Sequence, residues 1–140
     1  MDATENNLVT VSLDRELRVW NPETGAFVKK FDLTSFTNET LISIKLTESG
    51  MLFLGSKDMN VYLIDISKGK LCVVYEGHWS RVNLIKQVEN KDLLLTVSES
   101  NIKIWDLEYD ECIKNMNEHT SPVVYCDTCQ HNKLNIVTIS

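Results

Sequence analysis

The stretch LLLTVSESNIKIWD, Leu93 to Asp106, reads as two short strands joined by a tight polar turn. Near-repetition of it stands earlier in the chain, as NLVTVSLDRELRVWN from Asn7 to Asn21. Aligning on the shared serine brings in two further segments: LFLGSKDMNVYLIDISKG from Leu52 to Gly69, and IVTIS from Ile136 to Ser140. The anchors Ser12, Ser56, Ser98 and Ser140 are separated by 44, 42 and 42 residues. A fixed period in this range is the mark of stacked supersecondary units rather than of one irregular domain.

Each unit reads as short strands. LVTVS, LRVWN, AFVKKF, LISIKL, MLFLGS, NVYLID, LCVVY, RVNLIK, LLLTVS, NIKIWD, CIKNM, VVYCDT and LNIVTIS are rich in β-branched and aromatic residues and bounded by turn residues, which gives 13 candidate strands. No long window carries apolar residues at helical spacing. Gly25 and Gly69 lie five residues past Trp20 and Ile64, and Asp110 lies five past Trp105. A turn that needs a positive φ accounts for Gly, Gly and Asp at one repeated position. LCVVY and VYLI are apolar on both parities, so their sheets are expected to be covered on both faces.

These residues resemble the WD-repeat family of β-propellers. Gly77–His78 is followed 27 residues later by Trp105–Asp106 with Ser98 between, and SLDRELRVWN in the first unit is similar to the family core. The resemblance spans about residues 8 to 140. It implies an all-β fold of four-stranded antiparallel blades: two complete ones at 32–75 and 76–117, and partial ones at 1–31 and 118–140. It also implies that His, Ser, Asp and Trp form a buried hydrogen-bonded chain within a blade, so that these residues are structural and not catalytic. Carried over position by position, the first unit supplies Ser12, Asp14 and Trp20. The second supplies Ser56 and Asp58, with Thr37 at the His place and Ile64 at the Trp place. The third supplies His78, Ser98 and Trp105, with only Glu99 and Ser100 where the Asp belongs. The fourth supplies His119 and Ser140. No unit holds the full set, which points to a divergent propeller relying more on apolar packing.

Propellers close with ~4–8 blades. The expectation is therefore a piece of a longer protein, or a ring completed by association through open blade edges.

Other chemistry finds little support. Cys126, Cys129 and His131 invite a zinc site, but a structural site takes four ligands, and Cys72 and Cys112 are remote in sequence. No metal or cofactor is expected. His78 with Ser98 is the pair the blade chain uses, and no strand–turn–helix elbow accompanies it. No phosphate-binding glycine motif occurs. The carboxylates of YDE (Tyr109–Glu111) and ENKD (Glu89–Asp92) fall in turns. A net charge of −6 without a basic run argues against nucleic acid. The longest apolar run, LCVVY, is far below the ~18 residues of a membrane span. Four irregularly spaced cysteines and a polar start, MDATENN, read as a cytoplasmic or nuclear protein with reduced thiols.

By the resemblance, the loops Asp14–Glu16, Lys57–Asn60 and Glu99–Asn101 share one face with Trp79 and Arg81. Trp and Arg lead the residue types that dominate interfaces, so Trp79 and Arg81 are the expected partner contacts, unless Trp79 covers the neighbouring blade. The leading function is a protein- or peptide-binding scaffold. The alternatives are a substrate-selecting or regulatory region of a multidomain protein, such as a ubiquitin-ligase receptor or an NTPase-linked sensor, and, behind it, a divergent propeller enzyme.

Overall fold

The computed structural model describes residues 1–88, 91–131 and 133–140, the side chains of 128–131 and 133–135 excepted. Among these residues there are fourteen strands and no helix. The first sheet is β1 (Asp2–Ala3), β2 (Leu8–Val11), β3 (Glu16–Trp20) and β4 (Phe27–Asp32). The second is β5 (Leu41–Leu46), β6 (Met51–Ser56), β7 (Val61–Asp65) and β8 (Lys70–Tyr75). The third is β9 (Leu84–Val88), β10 (Leu93–Ser98), β11 (Asn101–Asp106) and β12 (Glu111–Met116). The fourth holds β13 (Tyr125–His131) and β14 (Lys133–Ile139). Every sheet is an antiparallel meander in chain order. All thirteen expected strands are present. The additional one is β1, whose two residues stand where the innermost strand of the first sheet belongs.

The core explains why in/out alternation is missing from the sequence. Leu52 and Leu54 of β6, with Tyr62 and Ile64 of β7, pack against Val9, Leu17 and Val19 of the first sheet. Phe53 and Val61, of opposite parity on the same strands, pack with Val82, Ile85, Leu94 and Trp105 toward the third sheet. Leu95, Val97, Ile102 and Ile104 then turn to Val123 and Cys126 beside the fourth sheet. Successive side chains of a strand point to opposite faces. Both faces here meet a neighbouring sheet, so both parities are apolar.

The repeat extends to fine geometry. The third and fourth strands of each four-stranded sheet slip register at the same place: Val19/Trp20, Leu63/Ile64 and Ile104/Trp105. The following residue caps the turn with its side chain: Asn21 accepts from the Glu23 N–H, Asp65 from Ser67 and Asp106 from Glu108, each at 2.9 Å. That turn then passes through left-handed backbone at Gly25, Gly69 and Asp110, with φ of 69°, 62° and 56°. Asp110 has a reason to differ from glycine, since its carboxylate accepts the Tyr75 hydroxyl of the second sheet at 2.6 Å.

One register position on the innermost strands carries charge in all four sheets. Asp2 lies opposite Val9, Lys45 opposite Phe53, Lys86 opposite Leu95 and Asp127 opposite Val137. Those partners are spaced by the same 44, 42 and 42 residues as the serines. Lys45 pairs with Asp2 at 3.3 Å and Lys86 with Asp127. Asp2 also accepts the Leu46 N–H at 2.7 Å, which ties β1 to the second sheet as well as to β2.

Candidate protein-interaction face

The third sheet holds a continuous polar chain with one consistent direction of donation. The Trp105 indole N–H donates to Thr96 Oγ1 at 2.8 Å, and Thr96 Oγ1 lies 2.6 Å from His78 Nε2. On the other side of the ring, His78 Nδ1 lies 2.9 Å from Asn101 Oδ1. The Asn101 amide group donates to Asn115 Oδ1 at 2.6 Å and to Asn117 Oδ1. An amide oxygen only accepts, so Nδ1 carries the proton, Nε2 is the acceptor, and the Thr96 hydroxyl donates to it. The imidazole is neutral. Burial, opposed by the Asn101 hydrogen bond and assisted by the Lys103 charge, lowers its pKa to about 4.

The expected residues are therefore partly assembled and partly displaced. His78 and Trp105 meet, but through Thr96 and not Ser98, whose buried Oγ has no hydrogen-bond partner among the described residues. In the first sheet the Trp20 indole donates to Thr10 Oγ1 at 3.0 Å, while Ser12 sits in the turn with Asp14, whose carboxylate accepts the Glu16 N–H. In the fourth, His119 Nε2 lies 2.5 Å from Thr138 Oγ1, and Ser140 lies two residues on. The reason is distance. Trp105 lies opposite Leu94, so Thr96 is its diagonal neighbour at roughly 7–8 Å between backbones. A residue two further along, where Ser98 stands, is beyond an indole's reach. The signal was available in the sequence, because Thr10, Thr96 and Thr138 also recur at the repeat spacing.

The second sheet solves the same positions differently. Leu54 stands at the Thr place and Ile64 at the Trp place, both fully buried. Without an indole N–H, no hydroxyl is needed there. Its polar contacts collect on Asp58, which accepts from Thr37 Oγ1 at 2.5 Å, Tyr62 OH at 2.7 Å and the Asn60 N–H at 3.1 Å. Burial first, and Asp58 second, hold the Tyr62 phenol above its ordinary range. Ser56 accepts the Asp58 N–H at 3.3 Å. Asn101 in the third sheet takes the part that a missing Asp leaves open, a substitution the sequence reading passed over.

No group of three or more potential metal ligands gathers among the described residues. Cys126 is buried, which raises its thiol to about 11; the side chains of Cys129 and His131 lie outside the described residues, as do Glu89 and Asn90 of the ENKD turn. Cys72 and Cys112 are exposed free thiols.

The loops above these chains are different in character. Trp79 follows buried His78 directly yet is 68% exposed. It lines a depression with Met59, Arg81, Lys57, Asp58 and Glu39, at the junction of the second and third sheets. Met59 is 42% exposed and sits in left-handed backbone with a φ of 70°. The equivalent left-handed turn residue of the first sheet, Arg15, reaches the next sheet through its guanidinium, which donates to the Thr37 carbonyl at 3.3 Å.

Residues 69–106 match the family model described as "WD domain, G-beta repeat". This stretch is a WD repeat, and the chain beyond it resembles WD-repeat proteins. The matched stretch holds Gly77–His78, Thr96 and Trp105–Asp106, the unit with the longest polar chain. An uncharacterized WD repeat-containing protein of Schizosaccharomyces pombe is 29% identical over 76% of the chain and 29% of its own length. Human pre-mRNA-processing factor 17 is 23% identical over 83% of the chain and 21% of its own length. The solved WD40 repeats of RRP9 share the fold with a TM-score of 0.76 at 12% identity, over 84% of the chain and 37% of that structure. The chain therefore spans less than a third of the length of these two curated relatives.

Proposed function

We propose that this WD-repeat chain is a non-catalytic protein-interaction scaffold, acting as part of a larger protein or assembly, with Trp79 and Arg81 as partner contacts. The observation that carries this reading is the contrast between adjacent residues: His78 is 4% exposed and hydrogen-bonded within the blade, while Trp79 is 68% exposed. An exposed aromatic beside Arg on loops held by rigid strands suits recognition. In the same reading, His78, Thr96 and Trp105 hold a blade together, and so do Trp20 with Thr10 and Asp58 with Thr37. The relative named as a pre-mRNA-processing factor makes the nucleus the compartment to examine first.

The test replaces Trp79 with Ala, with Tyr109→Ala as a control of equal exposure. Both variants are expected to stay within about 0.5 kcal/mol of the parent, as surface changes do. Cross-links to associated proteins are expected to disappear in Trp79→Ala and persist in Tyr109→Ala. If Trp79→Ala lowers the unfolding midpoint while cross-links persist, Trp79 is a packing residue and the reading fails.

A further inference from the structure

Proline stands at two places in the chain, after Asn21 and after Ser121, so Ser121–Pro122 is the one step in which a hydroxyl residue precedes it. That step lies in the loop 117–124 between β12 and β13. Two anchors hold the loop. His119 Nε2 lies 2.5 Å from Thr138 Oγ1, and the Val123 N–H donates to the Glu99 carbonyl at 2.8 Å. Between the anchors Thr120, Ser121 and Pro122 are all exposed, and neither Thr120 nor Ser121 makes a hydrogen bond among the described residues.

The preceding unit builds the same loop without proline. His78 and Val82 stand four residues apart, as His119 and Val123 do. His78 Nε2 likewise meets a threonine hydroxyl, and the Val82 N–H likewise donates to a carbonyl of the unit before it, that of Ser56. Ser80 and Arg81 then fall where Ser121 and Pro122 fall. The fold therefore does not require proline at 122. The ring does two things to the chain: it biases Ser121 toward extended backbone, and it removes the amide hydrogen of residue 122. A protein that binds this segment extended, and offers residue 122 no acceptor, strands an ordinary N–H but strands nothing on proline. Such a site takes Ser-Pro and rejects other serines.

We propose that Ser121 is a phosphoacceptor for a proline-directed serine/threonine kinase. Its Oγ forms a bond to the γ-phosphorus of ATP, and the bond from that phosphorus to the β,γ-bridging oxygen breaks. ADP leaves, and the hydroxyl proton passes to the kinase's catalytic aspartate. The product carries about −1.5 to −2 charge. The loop, NEHTSPVV from Asn117 to Val124, contains no Lys or Arg, so the phosphate has no cation to pair with on its own loop. The charge is added at the end of the sheets that carries Trp79, one unit along. The inference goes beyond the interaction-scaffold reading and does not rest on it.

The test incubates the folded chain with a purified proline-directed kinase and Mg-ATP, below the unfolding midpoint, and locates phosphate by tandem mass spectrometry. One phosphoryl group is expected, on Ser121. Ser121→Ala should take none, and Thr120→Ala should be labelled as the parent is. Pro122→Arg, which installs the residue of the matching loop, should slow labelling by about tenfold or more. Pro122→Ala should do the same, so the result does not hang on the folding of one variant, and unfolding midpoints check both. Phosphate on another residue, no phosphate, proline-free variants labelled as fast as the parent, or labelling only of the heat-unfolded chain would overturn the assignment. None of these outcomes bears on the scaffold reading, which Trp79→Ala judges separately.

Discussion

At the scale of single residues, the decisive distinction is between hydroxyls that are used and hydroxyls that are not. Thr96 serves Trp105 and His78 at once. Thr96→Val keeps the shape and strands both partners in a buried site, where each orphaned group costs about 1–3 kcal/mol. Ser98→Ala removes a hydroxyl that has no partner among the described residues and should be neutral or slightly stabilising. Chemical denaturation of the two variants checks this, and equal losses would contradict the Thr96 assignment. His78 adds a pH signature. Its folded pKa lies below its unfolded one, so as pH falls the unfolded chain takes up the proton first. The stability His78 supports is complete above about 6.5 and is lost as pH falls toward about 4. The unfolding midpoint should therefore drop between pH 7 and 5, and drop less in His78→Gln. At this scale the sequence was legible where a residue type is rare, as with Trp and His. It misled where two hydroxyls stood two positions apart on one face, because strand periodicity alone cannot rank them.

At the scale of elements, turns were more legible than strand partners. Positive φ at Gly25, Gly69 and Asp110 follows from composition at one repeated site. What composition hides is the neighbour. A Cβ at Gly25 would meet nothing within 4 Å, whereas one at Gly69 would lie 2.5 Å from Phe31 Cε1 of the first sheet. Gly25→Ala should cost only the left-handed penalty of about 1–2 kcal/mol. Gly69→Ala should cost roughly 1–3 kcal/mol more, from forced movement of Phe31. Thermal unfolding of the two proteins ranks them; equal losses would show that Phe31 does not press on that turn. The short β1 was illegible for a plain reason: Asp2–Ala3 has no apolar period, and Asp2 holds its place by accepting the Leu46 amide and pairing with Lys45.

At the scale of the whole molecule, the period in the sequence and the stacking in space are one fact. The second and third sheets are apolar on both faces because each is covered on both faces. The second strands are therefore the most enclosed, with Leu52 to Ser56 and Leu94 to Ser98 all buried, while outer β12 is exposed along almost its whole length. The charged position on the innermost strands adds order to this stacking, since Asp2–Lys45 and Lys86–Asp127 each join different sheets. Partly exposed ion pairs contribute little stability, about 0–1 kcal/mol each. Their value lies in penalising a sheet seated out of register. Amide hydrogen exchange of the native protein, resolved by strand, tests this architecture most directly. Amides of β6 and β10 should exchange slowest and those of β4 and β12 fastest, since local opening follows burial. Fast exchange in β6 and β10, or outer strands as protected as these, would contradict a stack of sheets that bury one another.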